Sequence, residues 1–544
     1  MVSSLAHPLN IFILGLGGGF LLPLVNQLGK RWVFAAFVSA LAAMAAISAV
    51  CAVQLYHGAE PIRITTGGSI PPYSINLRMG LAEAFAATSV GLLGLLGALY
   101  FVREKYAVML LYLLIIMGIQ GMVMTRDLFN LFVFLEIVSI ATYGLLSLGA
   151  SSEAQSAAFK FLMATVVAST FFLLGTMFLY AASGMLNIDE LIANRDAITG
   201  PIGFAALMLL LGCLLLELKP FPANGWGLDV YQTAPGPVAA LVASGVSAGV
   251  FFALYNLFPL FERYAAVIAV LGVSTFVVSN LIGLKQTDAQ RLLGYSSVGQ
   301  MGLLSAALAL LHLADSEAAI PLVVGGLFIN HFLAKAGLFW LAGYVGKKDL
   351  GQWSAVAGRQ DALIAFGVLV CALAGMPPFP GFWAKWQLML ALAAHDTWVW
   401  IAPILLGSLL EVAFLFRWFG RSLHAGGEPG KSQGDGIALL PVFAAALLLV
   451  TCGFGAARLS GFTESWLALP LIAGLALYVL DGLPGRLKGV LTLAVLAAVG
   501  HGLVGDLSGI GFLFAWLLYA GCLALAIACL YRAIQDQASI PCSP

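Results

Sequence analysis

Seven titratable side chains fall inside stretches that are otherwise apolar: Glu136, Glu217, Lys219, His331, Lys335, Lys385 and Glu411. A charge at the middle of a bilayer costs about 3 kcal/mol or more, so such residues normally face a bundle interior and mark an ion path. Burial favours the neutral form of a titratable group, and a neighbouring opposite charge restores the charged form. Moving a carboxylate, or the charge on it, therefore switches a nearby lysine between holding and releasing a proton. That is the chemistry expected of Glu136 and Lys219. His331 and Lys335 are four apart, which places them on one helix face. A row of such groups, with water in the gaps, relays protons. Glu217 and Lys219 are two apart and project to nearly opposite sides of a helix, so they pair only where the helix is unwound. Arg126, Asp127, Asp229, Lys285, Asp288 and Arg291 sit at span ends, where interfacial anchoring and a functional role are both open.

The elements that must position these groups are interrupted helices. In "LLLELKPFPANGW" (214–226) an apolar run meets Glu217, Lys219 and then Pro220 and Pro222. Proline removes a backbone donor and clashes with the preceding turn, so the helix kinks or breaks there. "GMPPFPGFWAKW" (375–386) repeats Pro-Phe-Pro with Lys385 beside it, five spans later. Two matched breaks in an inverted repeat are a recurring transporter design. Broken ends free backbone groups, which are tolerated at membrane depth only where protein or water satisfies them.

The rest of the chain fits an all-α polytopic membrane protein. Its 544 residues are 61% hydrophobic and 9% charged, against about 25% charged in soluble domains. Apolar runs long enough to cross about 30 Å of hydrocarbon recur throughout. They suggest about seventeen transmembrane helices, the last three near 465–481, 487–505 and 509–531. The first run continues into a full span and does not read as a cleaved signal. The expected organisation is N-terminal helices in 1–105, a first repeat in 106–258 and a second in 264–418. A cytoplasmic loop (419–436) and C-terminal helices (437–544) follow. Sixteen basic residues fall in loops after odd-numbered spans and in the C-terminal tail, against six in the other loops. The positive-inside rule then puts the N-terminus outside and the C-terminus in the cytoplasm. Zero net charge argues against nucleic acid as a partner. The seven cysteines include no C-x-x-C pair, so neither metal nor redox cofactor is expected. "GLGGGF" (15–20) has no strand before it and reads as helix packing.

At these residues a family resemblance emerges. The sequence resembles the antiporter-like membrane subunits of respiratory complex I (N/M/L-type) and of Mrp-type cation/proton antiporters (D-type). The segments are "RDLFNLFVFLEIVSIATYGLLSLG" (126–149), "LDVYQTAPGPVAAL" (228–241), "DAQRLLGYSSVGQMG" (288–302), "HFLAKAGLF" (331–339) and "AGMPPFPGFWAKW" (374–386). The resemblance covers roughly residues 80–420 and implies a fourteen-helix core that passes protons or sodium ions. In the family a glutamate–lysine pair controls a central lysine, and a lysine at the second break leads outward. Those roles fall on Glu136, Lys219, Lys335 and Lys385. Three positions depart from the pattern. Counting back from Pro222 to the family lysine lands on Glu217. Gly249 stands near the eighth-span lysine, and Gln300 stands at the tenth-span histidine of many members.

The function expected is therefore a proton- or sodium-translocating, antiporter-like subunit of a complex I-related or Mrp-type assembly. It would lie in the bacterial cytoplasmic membrane among other membrane subunits. Any redox catalysis, such as NADH:quinone oxidoreduction, would belong to those partners. Two alternatives remain: a self-sufficient secondary transporter, and a structural or energy-coupling subunit with a partly degenerate channel.

Overall fold

The computed structural model describes residues 6–460 except 66–68, 70–73, 150, 357–358, 396 and 424–435. Backbone polar groups in lipid must be paired within the chain, which favours helices over open sheet. The described residues follow that rule. They are helical apart from loops and one short antiparallel pair, β1 (Ile62–Thr65) and β2 (Asn76–Met79), with Ile62 opposite Met79.

The principal helices, in chain order, are α1 (Leu9–Leu28, with a π-turn at Ile13–Gly17), α2 (Lys30–Tyr56), α3 (Leu81–Ala98), α4 (Tyr106–Met124) and α5 (Leu128–Ser147). Then come α6 (Ser152–Ser183), α7 (Pro201–Glu217) and α8 (Gly225–Thr233). Next, α9 runs over Gly236–Ala240, passes through a π-turn at Leu241–Val246 and continues over Ser247–Phe261. The series ends with α10 (Ala265–Gly283), α11 (Ala289–Leu313), α12 (Ile320–Val345), α13 (Gln360–Leu373), α14 (Pro380–Ala394), α15 (Ile401–Leu423) and α16 (Leu440–Leu459). Among the described residues, eleven helical runs are long and apolar enough to cross a membrane, one being the 48-residue run Gly236–Gly283 that contains both α9 and α10. α7 and α13 are too short alone because each is the first half of a broken span. With α7/α8 and α13/α14 counted as one span each, the helices fall where the first fourteen sequence spans lie. The last three expected spans, with Glu464, Asp481, His501 and Asp506, lie outside the described residues.

The described chain divides into two compact units, one of residues 6–148 and 169–210, the other of 149–168 and 211–460. In the first, the chain between α4 and α5 is pinned by polar contacts. Arg126 pairs with Asp189 at 2.5 Å, its backbone N–H donates to the Asn76 carbonyl, and its own carbonyl accepts from Ile188. Asp127 caps α5 by accepting from the Asn130 amide at 2.8 Å. In the second unit Asp288 caps α11 in the same way, accepting from Arg291 at 2.9 Å. Each cap contributes about 1 kcal/mol to its helix. Of the span-end residues left open by the sequence, Asp127 and Asp288 thus act as caps, and Arg126, Asp229 and Arg291 form ion pairs.

Close helix crossings in membranes use small residues. α10 and α11 cross at Gly272 and Gly302: a Cβ on Gly272 would lie 2.5 Å from the Gly302 carbonyl oxygen, and one on Gly302 would lie 2.7 Å from the Gly272 oxygen. Backbone cannot yield as a flexible side chain does. Gly302→Val is expected to lower stability by about 1–3 kcal/mol, measured as Tm of the purified protein in detergent. Gly325→Ala, where a Cβ would meet nothing within 4 Å, is the neutral control.

Candidate functional site

α7 ends at Glu217, and the chain turns through Leu218–Asn224 before α8 begins. Lys219 makes the turn with φ of 62°. The left-handed region costs a residue with a Cβ about 1–2 kcal/mol. What holds Lys219 there is its own amine. Nζ donates to the Glu217 carbonyl at 3.0 Å, one of the oxygens left unpaired where α7 ends. Nζ also lies 5.2 Å from the Trp226 ring and 5.9 Å from the Tyr231 ring. A Cβ on Gly227 would collide with the lysine's methylene chain, so glycine there makes its slot. On the other side of the turn the Phe221 amide donates to Thr275 Oγ1 of α10 at 3.1 Å. α8 is tied down by Asp229, which accepts from Lys160 at 2.6 Å and Arg291 at 3.0 Å.

The second break is built alike. α13 stops at Leu373, Gly375 adopts φ of 74°, and α14 restarts at Pro380. The Ala372 carbonyl, at the end of α13, accepts from the Gly375 amide at 3.0 Å and also from Asn330 Nδ2 of α12 at 2.9 Å. Each break also contains one cis X-Pro bond, Phe221–Pro222 and Pro377–Pro378. The repeat is offset from the sequence pattern. The left-handed residue directly precedes Pro-Phe-Pro in the first break and lies three residues before it in the second.

Between α11, α12, α14 and α15 lies a chain of buried polar groups. Lys335 Nζ, fully buried, donates to Ser296 Oγ at 2.5 Å. Ser296 Oγ donates in turn to Glu411 Oε1 at 2.6 Å. Gln300 Nε2 donates to Glu411 Oε2 at 2.5 Å. Lys385 Nζ stands 3.9 Å from that same oxygen, beyond hydrogen-bond reach, and has no hydrogen-bond partner among the described residues. The Phe276 ring flanks it, with its centroid 5.6 Å from Nζ. One carboxylate therefore faces two lysines, directly on one side and through a hydroxyl on the other.

His331 lies one turn before Lys335, as its spacing requires, but turns to α9. Its Nε2 is 3.2 Å from the Ala243 carbonyl in the π-turn. A π-turn leaves carbonyls outside the regular ladder. Because that carbonyl only accepts, Nε2 carries a proton. Nδ1 is buried and has no hydrogen-bond partner among the described residues.

Among the sequence-predicted residues, Lys335 and Lys385 are brought together, linked by Ser296 and Glu411. Lys219 turns to the main-chain carbonyl of Glu217. Glu136 stands half-buried on α5 in the first unit, while Lys219 belongs to the second. Sequence alone counts Glu411 among the span charges without giving it a role, and it does not single out Ser296. The available signal is the four-residue spacing of Ser296 and Gln300, which puts two polar groups on one face of an apolar helix.

Broken spans with buried amines and a buried carboxylate between them define a membrane protein with an internal path for small cations. Similarity to known proteins carries this from class to family. Residues 125–411 match the family model described as "NADH:quinone oxidoreductase/Mrp antiporter, TM", and the chain belongs to that family. It is 30% identical over 409 residues to NADH-quinone oxidoreductase subunit N of Desulforudis audaxviator, covering 71% of this chain and 80% of that one. It is 27% identical over 465 residues to a Na(+)/H(+) antiporter subunit of Alkalihalophilus pseudofirmus, covering 81% and 92%. Among solved structures, a chain of the membrane-bound sulfane sulfur reductase, an archaeal respiratory membrane complex, superposes with a TM-score of 0.76 at 26% identity. That alignment covers 88% of this chain and 99% of that one.

The left-handed turn gives a direct test. Lys219→Gly and Lys219→Ala both remove the amine, but only alanine keeps a Cβ in the left-handed region. The glycine variant is expected to be the more stable by about 1 kcal/mol, read as Tm in detergent. Equal Tm values would mean that the turn does not hold this backbone.

Proposed function

We propose that this chain is a proton- or sodium-translocating, antiporter-like membrane subunit of a complex I-related or Mrp-type multisubunit complex. The observation that carries the reading is the buried sequence Lys335–Ser296–Glu411–Lys385 beside a broken span. Apolar helices alone pass no charge, and burying two amines and a carboxylate in one bundle costs stability unless the groups are used or closely paired. One carboxylate matches one ammonium, so the cluster can hold one excess proton and pass it on.

Around that cluster the other assignments follow. Glu136 acts as the carboxylate whose charge sets the state of Lys219, Lys219 feeds the central groups His331 and Lys335, and Lys385 delivers to the outside. Glu217 stays at the first break as the residue whose carbonyl holds Lys219. Residues 106–258 and 264–418 form two inverted repeats. Three local matches support this: the N-caps Asp127 and Asp288, the bridges Asp127–Asn187 and Asp288–Asp349, and the left-handed residues Lys219 and Gly375. Residues 1–105 and 437–544 flank them, with 419–436 as a cytoplasmic loop. The chain lies in the bacterial cytoplasmic membrane among partner subunits, N-terminus outside and C-terminus inside. The basic-residue asymmetry supports that orientation.

The test is ion flux in inverted membrane vesicles carrying the native complex, followed by fluorescence quenching. Glu136→Gln, Lys219→Ala, Lys335→Ala and Lys385→Ala are each expected to cut proton or sodium uptake at least tenfold, with the complex still assembled on a native gel. Uptake at the wild-type rate in all four would remove the relay. Affinity purification of the tagged chain is expected to bring down further membrane subunits. Isolation of a fully active single chain would favour a self-sufficient transporter.

A further inference from the structure

Resting on the reading just given, we infer that Glu411 is the carboxylate through which a proton crosses from Lys335 to Lys385, with the Ser296 hydroxyl as the bridge. Glu411 is fully buried, and both of its oxygens are engaged. The two engagements differ in kind. At Oε1 the partner is a hydroxyl that both accepts from Lys335 and donates to the carboxylate, so it can pass a proton. At Oε2 the partner is the Gln300 amide, which only donates and cannot relay. Lys385 Nζ lies beyond that oxygen, with no hydrogen-bond partner of its own among the described residues. A side-chain rotation that moves Oε2 by about 1 Å brings the pair within hydrogen-bond distance.

The transfer balances in two steps. First, a Lys335 N–H bond breaks and its proton joins Ser296 Oγ, while the original Ser296 proton passes to Glu411 Oε1. This leaves a neutral amine and a carboxylic acid. Next, the carboxyl group rotates so that its protonated oxygen turns from Ser296 towards Lys385; the O–H bond breaks, and the proton binds the lone pair of a neutral Lys385, restoring the carboxylate and leaving an ammonium. Lys335 then takes up the next proton. Nothing enters or leaves except the transported proton. Ser296 and Glu411 lie on α11 and α15, so the crossing from α12 to α14 depends on side chains of two other helices. Gly407, one turn before Glu411, keeps the site tight: a Cβ there would lie 2.5 Å from the Phe276 ring that flanks Lys385.

The experiment uses the same vesicles and the native complex, with assembly checked on native gels. Glu411→Gln, which keeps the size and one of the two acceptor oxygens but cannot carry a proton, is expected to lower proton uptake at least tenfold. Glu411→Asp is expected to restore a substantial part of it. Ser296→Ala removes the bridge without touching a charge and is expected to lower uptake several-fold, while Ser296→Thr restores it. A merely structural carboxylate would not follow that rescue pattern. Uptake within twofold of wild type in Glu411→Gln, where Lys335→Ala has lost it, overturns this proposal and leaves the relay standing. Uptake at the wild-type rate in Lys335→Ala also overturns this proposal, and the wild-type rate in all four relay variants overturns the relay as well. If Glu411→Gln fails to assemble, unchanged uptake in Ser296→Ala overturns the proposal alone.

Discussion

Polar groups enclosed in an apolar bundle must find partners inside it, and the arrangement of this chain follows from that requirement. Breaking a span exposes amides and carbonyls that lipid cannot satisfy. At the first break Thr275 takes up an amide and the Lys219 amine takes up a carbonyl. At the second, Asn330 adds a donor to a carbonyl at the end of α13. Thr275 and Asn330 belong to α10 and α12, so each break is held in part by an intact span packed against it. The same demand orders the charged cluster. Glu411 is tolerable at complete burial because Ser296 and Gln300 engage both its oxygens and an amine stands beside it. Without those contacts its desolvation would be uncompensated.

The family connection and the cluster carry different parts of the account. The match over residues 125–411 establishes what kind of chain this is, and the geometry establishes how this member is built. The position near Gly249, where the resemblance leads one to look for a lysine, is buried and uncharged. Beside it, α9 carries a π-turn whose Ala243 carbonyl receives His331. Gln300 shows the same pattern: a side chain that cannot titrate fills a position beside a carboxylate that can.

Much of this was legible in the sequence because the governing signals are local. A run of apolar residues with the length of a bilayer needs no tertiary knowledge to be read as a span. Prolines within such a run mark its rupture. The four-residue spacing of His331 and Lys335 correctly put them on one face. What was not legible depends on contacts between residues far apart in the chain. Ser296, Lys335 and Glu411 meet only because α11, α12 and α15 pack together, and no window of sequence contains all three. The direction of His331 was hidden for the same reason, since it answers to a π-turn on α9 that composition does not announce. The Pro-Phe-Pro repeat located both breaks but not their register, because the turn is placed by which residue adopts positive φ. In the first break that residue is a lysine, which propensity alone would not select.

That choice of residue separates the two breaks. In one turn the bend is made by Lys219, and glycine at 227 leaves the hollow its side chain occupies. In the other the bend is made by Gly375, and the empty place beside it is filled by Lys385 reaching in from the following helix. Lysine and glycine have exchanged seats around a shared main-chain corner. The corner therefore acts as a socket indifferent to which wall supplies the cation. Each gate can be given its own reach and its own depth without redrawing the helices that frame it.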